Sequence, residues 1–349
     1  MVRFQKKKAY INLNKLAWEN VLNFGKLDPY TSFVRKGLLG SLFSICGRLQ
    51  SKILESELVS AQSLPHLVIT GHWRSGTTYL HNLISCDPQF TFCSTQACMN
   101  PHAFMLGIPS GANRKTNRPM DDVQVAADSP QEDEFALLAL GARSPYEGLM
   151  FPRSLFDALS LADPAELPEL DRQVWERTFC DFIKGVSFVG GRRAVVVKSP
   201  THSYRVKAIS ALLPNAKFIS IRRNPLEVFE STFRMWKVLF DLYRLGEPIG
   251  DDDLREIILE NRVIMERKLS RELAALPAHM VAQVEYERLV RDPLREMQSL
   301  YARLELDPEF LTSEFFAQQI ERSRLYRAGN NVPSPEWQRR IHSQWGDFF

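Results

Sequence analysis

Apolar residues along the chain form short runs that alternate with stretches of helical spacing. Four runs, at residues 66–70, 194–197, 217–221 and 280–285, are apolar or β-branched over most of their length. The first of them, residues 66–70, is nearly all apolar or β-branched, which is typical of a strand buried on both faces of a parallel sheet. Helical spacing appears at residues 77–85, 169–184, from Pro225 onward and from about 292 to 304. The alternation predicts an α/β fold, with a central parallel sheet flanked by helices.

Two regions are expected to add to this sheet. Residues 1–60 carry apolar positions among polar ones, such as Leu16, Trp18 and Val21, and predict an N-terminal helical segment. Residues 61–349 are expected to form the α/β domain itself. Within it, residues from about 95 to 165 contain many Pro, Gly and Asn, which favours a helical insertion with loops over a cleft.

Charge and cysteine content narrow the classes of partner. The 349 residues include 44 basic and 41 acidic ones, a formal net charge of +3, so no global field favours nucleic acid. The five cysteines form no C-x-x-C pair, which favours free thiols in the reducing cytoplasm. A metal site on Cys86, Cys93 and Cys98 is the less favoured alternative to no metal. The three lysines Lys6, Lys7 and Lys8 leave peripheral membrane contact open, although a solvated helical cap is favoured.

The strongest local signal is the segment GHWRSGTT, residues 71–78, between a predicted strand and a predicted helix. Glycines let the backbone curl so that successive N–H groups and the helix N-terminus converge on a phosphate. The spacing resembles that of a Walker A loop, but Thr77 replaces its lysine and Arg74 supplies a basic residue earlier. This P-loop-like segment therefore favours a nucleotide with a 5′-phosphate over a triphosphate. The alternative is an ordinary glycine turn.

A second basic region follows two later strands. Lys198 stands at the carboxyl end of one predicted strand, and Arg222 and Arg223 stand at the end of the next. Ligands of open α/β sheets bind at these strand ends. Ser231 lies eight residues after Arg223, about two helical turns along the following helix. As an alternative, one of the two arginines caps the sheet or pairs with Glu227.

These motifs together resemble a known enzyme family. RSGTT, the later K-S-P and the spacing R-N-P-x-x-V-x-x-S resemble the sulfotransferases that depend on 3′-phosphoadenosine-5′-phosphosulfate (PAPS), in particular a bacterial branch related to tyrosylprotein sulfotransferases. The resemblance implies a nucleotide-binding transferase that moves a sulfuryl group from PAPS to a hydroxyl or amine. It also implies that the 5′ end of PAPS lies on Arg74, Ser75, Gly76, Thr77 and Thr78.

The same resemblance implies further contacts to PAPS. Arg223 and Ser231 are expected to bind the 3′-phosphate, and Tyr79 stands where cytosolic members have an adenine-stacking tryptophan. Tyr286, in VEYERLVRDP, is expected near the adenine, with a core position as the alternative. Arg327 is a weak match to a loop that closes on the 3′-phosphate, because Ala328 replaces the lysine of that loop.

Sulfuryl transfer needs stabilised charge on the leaving phosphate and a base for the acceptor proton. Arg74 and Lys198 are the candidates for the first role. The base stays open between Glu132, Glu134 and His202, since Pro200 and Thr95 occupy the positions of the bases in the two related branches. Each candidate has an ordinary alternative. Glu132 would belong to a capping box with Ser129, Glu134 would lie on a solvated face, and His202 would cap a helix.

The acceptor is expected to be a small molecule, glycan or lipid that docks under the middle region. Six residues there or nearby hint at an apolar acceptor, although core packing is their commoner role: Phe104, Met105, Tyr146, Met150, Phe151 and Trp236. Two other functions stay open at this point. A P-loop kinase is disfavoured by the missing Walker lysine, and a non-catalytic nucleotide-binding protein of the same fold is kept open by the unplaced base.

Overall fold

A five-stranded parallel sheet lies at the centre of the computed structural model, which describes residues 45–47, 49–50, 52–53, 61–108, 116–121, 123–323 and 332–348. Its strands are β1 (Leu67–Thr70), β2 (Phe90–Phe92), β5 (Ala194–Lys198), β6 (Lys217–Arg222) and β7 (Val281–Glu285), in the spatial order β2-β5-β1-β6-β7. All four pairings are parallel. The predicted α/β class and parallel sheet are confirmed.

The helices of the described residues pack on both faces of this sheet. In chain order they are α1 (Thr77–Ile84), α2 (Thr95–Met99), α3 (Glu134–Ala139), α4 (Leu155–Ser160), α5 (Glu169–Val189), α6 (Val206–Leu212), α7 (Pro225–Tyr243), α8 (Asp251–Ala274), α9 (Tyr286–Arg291), α10 (Pro293–Arg303), α11 (Glu314–Ser323) and α12 (Pro335–Trp345). No helix among the described residues combines the length and apolarity needed to cross a bilayer.

Alternate strand residues supply two separate cores, which explains the unbroken apolar runs. Val68 and Val197 face a core that also contains Trp175 and Phe179 of α5. The positions next to these in β1 and β5 face the opposite core, which is built with α1 and α10. They include Leu67, Ile69 and Val196. Because both faces of β1 and β5 are covered, their positions are nearly all apolar, whereas the edge strand β7 exposes Gln283 and Glu285.

The order of the strands creates a crevice at the end of β1. This strand lies between β5 and β6, and the connections from β1 to β2 and from β5 to β6 run toward opposite edges of the sheet. Ligands of open α/β sheets bind at such a switch point, outside the carboxyl ends of the strands. The predicted loop at residues 71–78 and the predicted basic residues Lys198 and Arg223 all follow these three strands.

The middle region contains elements that the sequence pattern did not predict. Between α2 and α3, β3 (Thr116–Asn117) and β4 (Gln124–Val125) form an antiparallel hairpin. The region also holds a short 3₁₀ helix, Pro145–Leu149, whose Ser144 and Glu147 form a capping box. The N-terminal helical segment predicted for residues 1–60 lies largely outside the described residues, so that domain division stays a prediction.

Candidate active site

The loop after β1 adopts the backbone geometry of an anion-binding turn. Arg74 and Gly76 have positive φ angles of 67° and 98°, with Ser75 between them at negative φ. Ser75 donates twice to the carbonyl of His72, through its N–H at 3.1 Å and its Oγ at 2.7 Å. When right-handed and left-handed backbone conformations alternate in this way, successive N–H groups point into one concavity, called a nest, which binds anions. A Cβ at Gly76 would lie 2.2 Å from the Tyr286 ring, so only glycine fits there.

Arg74 connects this loop to two distant parts of the chain. Its Nε donates to Ser231 Oγ on α7 at 2.9 Å, and its Nη1 lies 2.7 Å from Asp121 Oδ2 in the turn of the β3–β4 hairpin. Arg118 holds the same carboxylate at 2.7 Å. Burial opposes ionisation of Asp121, but the hydrogen bonds and charges of Arg118 and Arg74 outweigh it and lower the pKa of the carboxyl group.

Arg223 lies directly beside the loop. Its Nη1 donates to the carbonyl of Arg74 at 3.2 Å, and its guanidinium covers the Tyr286 ring at 4.4 Å. It also pairs with Glu227 at 2.5 Å. Of Arg222 and Arg223, Arg223 is therefore the one that forms the ion pair with Glu227 considered as an alternative. Arg222 instead lines a separate pocket between β6, β7 and α8. The structure therefore brings Arg74, Arg223 and Ser231 together, although 157 positions separate the first and last.

Two tyrosines border the loop beside Arg223. The rings of Tyr79 and Tyr286 meet edge to face, with centroids 6.3 Å apart. Tyr286 covers both Gly76 and Arg223, as described above. The residues predicted to contact adenine thus lie next to each other, while Arg327 lies outside the described residues.

Lys198 links the loop to a carboxylate on the opposite side of the crevice. Its Nζ lies 3.4 Å from Thr78 Oγ1, at the start of α1, and 2.8 Å from Glu132 Oε1. Only 2% of the lysine is exposed. Burial lowers its pKa from the ordinary value, and the charge of Glu132 counteracts that effect only in part. A single ammonium group therefore touches both the phosphate loop and a candidate base.

Glu132 is held at this position by groups on both of its oxygens. Tyr146 donates its hydroxyl to Oε2 at 2.5 Å, and Lys198 donates to Oε1. The capping box that was the alternative role of Glu132 does not form, because Ser129 Oγ accepts from the N–H of Ala126 and Asp133 is the N-cap of α3. The Glu132 side chain is 14% exposed and does not close a helix end.

The other two candidate bases have different surroundings. Glu134 is fully buried and pairs with Arg205 at 2.5 Å, and Thr201 Oγ1 donates to it at 2.9 Å. Its predicted place on a solvated face is therefore wrong. His202 lies in the 3₁₀ helix Pro200–Tyr204 and contacts Asp133 at 2.9 Å, with both side chains fully buried. These contacts tie α3 to the segment after β5 and differ from the contacts of Glu132.

Backbone pairing explains how Glu132 reaches the crevice. The N–H of Thr95 donates to the carbonyl of Ser129 at 2.8 Å, and the N–H of Gln131 donates to the carbonyl of Cys93 at 2.8 Å. The segment that carries Glu132 is thus aligned with the segment that follows β2. Thr95 occupies the position at which the related branch has its base, and the neighbouring segment brings a glutamate to the same part of the fold.

A cleft with a volume of about 230 Å³ opens beside Lys198. Its walls come from α1, β2, the β3–β4 hairpin, residues 129–131 and α11, and include Thr78, Asn82, Cys86, Phe92, Arg118, Val123, Val125 and Gln319. The aromatic and apolar residues that hinted at an acceptor site are not among them. Phe104, Tyr146, Met150 and Trp236 are buried core residues.

Sequence reasoning did not single out several residues of this site. Asp121 and Arg118 belong to a hairpin of two-residue strands, too short to leave a periodic signal. Trp73 lies within the recognised loop, and its Nε1 donates to Tyr146 at 3.3 Å. The described residues contain no cluster of three His, Cys, Asp or Glu side chains that could hold a metal ion.

Comparison with known proteins identifies the class of enzyme that this fold and site define. A profile described as "Sulfotransferase family" matches residues 65–309, and the chain belongs to that family. The predicted family and the predicted sulfotransferase activity are confirmed.

Curated relatives and solved structures agree with this assignment. The chain is 28% identical over 347 residues to the omega-hydroxy-beta-dihydromenaquinone-9 sulfotransferase Stf3 of Mycobacterium tuberculosis and that of Mycobacterium bovis, covering 97% of this chain and 89% of each relative. Its fold is similar to that of sulfotransferase STF1 from M. tuberculosis, with a TM-score of 0.65, 15% identity and coverage of 97% and 92% of the two chains. Sulfotransferase STF9 from Mycobacterium avium gives a TM-score of 0.64, 16% identity and coverage of 94% and 88%.

Proposed function

We propose that this sulfotransferase takes its sulfuryl group from PAPS and uses Glu132 to remove the proton of an acceptor hydroxyl. The observation that carries the proposal is the position of Lys198. One buried ammonium group contacts both Thr78, in the loop at residues 71–78, and Glu132. The sulfur atom passes from the leaving phosphate to the acceptor oxygen, so it has to lie between the loop that binds the phosphate and the base that takes the acceptor proton.

The fit to PAPS is supported by two anion sites in direct contact. The nest at residues 74–76 suits the 5′-phosphosulfate, and Arg223 with Ser231 suits the 3′-phosphate. Arg74 touches Ser231, and Arg223 touches the carbonyl of Arg74, so one nucleotide with phosphates at both positions would span them. A nucleoside triphosphate lacks the second phosphate position, and Thr77 stands where a Walker loop has its lysine.

Each residue then has a defined task in the transfer. Glu132 accepts the proton while the acceptor oxygen forms its bond to sulfur. Lys198, Arg74 and the N–H groups of the loop stabilise the electron pair that stays on the 5′-phosphate as its bond to sulfur breaks. The products are an acceptor sulfate ester and 3′,5′-ADP. The proposal requires no metal ion.

Calorimetric titration of 3′,5′-ADP tests the donor site, with ATP and magnesium as the alternative ligand. Binding of the bisphosphate is expected without metal and tighter than ATP. Arg223→Ala should weaken it about 10- to 100-fold, because a hydrogen bond to a charged group contributes roughly 1.5–3 kcal/mol. Arg222→Ala, the neighbouring arginine in a separate pocket, is the matched control and should bind normally. Magnesium-dependent ATP binding with no preference for the bisphosphate would refute the proposal in favour of a kinase.

For the acceptor we propose an alcohol with an apolar body, in the class of small molecules and lipids. The cleft beside Lys198 combines Phe92, Val123 and Val125 with polar groups near its base. The curated relative is named for a hydroxylated menaquinone, which is an apolar alcohol of this kind. A screen with labelled PAPS should favour long-chain and prenyl alcohols over sugars and amines. Preference for amines or free sugars would contradict the proposal.

We further propose a cytoplasmic location, which rests on the cysteines. None of the five forms a disulfide bond in the described part of the chain, and two of them are partly exposed. Cysteines without disulfides in a chain of this length suit a reducing compartment. Fractionation of the producing cells, with the enzyme followed by antibody, tests this location.

A further inference from the structure

Trp73, Tyr146 and Glu132 form a continuous hydrogen-bonded chain from the phosphate loop to the candidate base. Trp73 Nε1 donates to Tyr146 Oη at 3.3 Å, and Tyr146 Oη lies 2.5 Å from Glu132 Oε2. Trp73 lies in the loop at residues 71–78, whereas Tyr146 lies in the 3₁₀ helix Pro145–Leu149. Two separate elements therefore meet at one phenolic oxygen.

The direction of this chain is fixed by chemistry. An indole N–H can only donate, so Trp73 occupies an acceptor position on the phenolic oxygen. The phenolic hydrogen is then directed toward Glu132. Burial first, and the negative charge of Glu132 second, raise the pKa of Tyr146 well above its ordinary value. Tyr146 thus keeps its proton, and can donate to the carboxylate, at neutral pH.

The phenol itself is held rigidly. The Tyr146 ring stacks on Phe135 with centroids 5.3 Å apart and planes 26° from parallel. Its helix begins with a capping box in which Ser144 and Glu147 satisfy each other's backbone groups, and Arg143 pairs with Glu147 at 2.8 Å. A hydroxyl on so constrained a ring has little freedom of position, and it constrains the carboxylate that it binds.

We propose that Trp73 and Tyr146 are positioning residues that orient the carboxylate of Glu132 for proton removal and connect it to the donor loop. The inference rests on the proposed role of Glu132 as base. The bland alternative is a buried tyrosine that merely satisfies its hydroxyl group. That alternative predicts a loss of stability alone, whereas positioning predicts a loss in the catalytic step.

Tyr146→Phe removes the hydroxyl and keeps the stacked ring, so it is the decisive variant. With labelled PAPS, farnesol as test alcohol and water as the competing acceptor, we expect kcat to fall at least 10-fold and the KM for PAPS to change less than 2-fold. The acidic limb of the pH–rate profile should move upward by about half a pH unit or more, since the ionised carboxylate loses a donor. Binding of 3′,5′-ADP should be unchanged.

The pH shift can be assigned because the other charged groups around Glu132 stay in place. Lys198 faces it from β5, and Arg118 of the hairpin acts on Lys198. Asp133 follows it in the chain, and Glu134 acts on Tyr146. None of these groups is altered by Tyr146→Phe, so a moved limb reports the lost hydrogen bond.

Tyr301→Phe is the matched control. Tyr301 is also buried and donates to a carboxylate, Asp87 Oδ2, at 2.7 Å, but on the α10 side of the sheet. It should lower the melting temperature and leave kcat and the pH limb unchanged. If Tyr146→Phe does not fold, Trp73→Phe is the deciding variant. It should lower kcat 3- to 10-fold and move the acidic limb of the pH–rate profile upward, as expected for Tyr146→Phe.

The possible outcomes separate this inference from the proposed function. A wild-type enzyme that turns over PAPS, together with a folded Tyr146→Phe variant of unchanged kcat and pH limb, overturns the inference and leaves the function standing. A wild-type enzyme that neither binds 3′,5′-ADP nor releases sulfate from PAPS overturns both.

Discussion

Glu132 and Glu134 stand two positions apart, but the same substitution to glutamine should affect a different property of the enzyme at each of them. Glu134→Gln is expected to lower stability, and Glu132→Gln is expected to lower turnover. The difference follows from their partners. Glu134 pairs with Arg205, and neither side chain is exposed, whereas Glu132 pairs with Lys198 at the edge of the cleft.

The magnitude for Glu134 follows from the charge that its loss leaves behind. A guanidinium cannot shed its proton, so Glu134→Gln leaves the cation of Arg205 buried and uncompensated. Breaking a buried pair in this way costs about 3–5 kcal/mol. Unfolding entropy is roughly 2.1 cal/mol/K per residue, or about 0.7 kcal/mol/K for this chain of 349 residues. The melting temperature should therefore fall by about 4–7 °C.

Glu132→Gln leaves a different residue without its partner. Lys198 can lose its proton, and burial already lowers its pKa, so the cost to stability should be about 1 kcal/mol. The loss of a general base should instead reduce turnover by roughly 10²- to 10⁴-fold.

Scanning calorimetry of both variants measures the effect on stability, and release of labelled sulfate from PAPS, at a temperature below both melting transitions, measures the effect on turnover. A Glu134→Gln variant that melts at the wild-type temperature refutes the argument from the buried pair. A Glu132→Gln variant with normal turnover refutes its role as base.

Two further predictions concern the loop and the response to acid. Gly76→Ala should weaken 3′,5′-ADP binding at least 10-fold, because its Cβ would collide with the Tyr286 ring; Gly141→Ala shares nearly the same φ, 99°, has open space around its Cβ and should bind normally. Equal binding by both variants, measured by calorimetry, would contradict the loop geometry. Burial first, and then the charge of Lys198, lower the pKa of His81 from 6.5 to about 3. Below pH 6.5 the His81 imidazole therefore binds a proton in the unfolded chain but not in the folded chain, so the free energy of unfolding decreases as the pH falls. Urea unfolding should show a loss of about 2–3 kcal/mol between pH 6.5 and 4.5 that is absent from His81→Phe; equal losses in the two proteins would argue against a neutral buried imidazole.

The fold could be predicted because its signals are local. Strands β1 and β5 are apolar along nearly their whole length, and β6 is buried at its four central positions, so the pattern is visible in four to six consecutive residues. Strand β7 instead buries alternate positions and exposes Gln283 and Glu285. The start of α7 followed from Pro225, because proline is well placed at the first position of a helix. The structure adds Asn224, whose side chain caps that helix. The β3–β4 hairpin was not predicted, because strands of two residues are too short to show a hydrophobic periodicity.

Parts of the site could be predicted for the same reason. The loop at residues 71–78 is a continuous segment, and the carboxyl ends of parallel strands meet at one edge of a sheet, so Lys198 and Arg223 were expected near it. The resemblance to the sulfotransferases added Ser231 through its fixed spacing from Arg223. The contact of Arg74 with Ser231 at 2.9 Å is consistent with that expectation.

The sequence by itself thus predicted four of the five strands, the loop at residues 71–78 and the family, because each of these signals lies in short segments of the chain. Strand β2, with three residues, was not among the predicted runs. Only the tertiary structure distinguished Glu132 from Glu134. Both are acids at the start of one short helix, and their environments are set by Lys198 and Arg205, which are 66 and 71 positions away. A carboxylate beside a lysine at an open cleft can take up a proton, whereas one locked to a buried guanidinium serves the fold. That difference arises from which charges the folded chain brings within 3 Å, which no local pattern encodes.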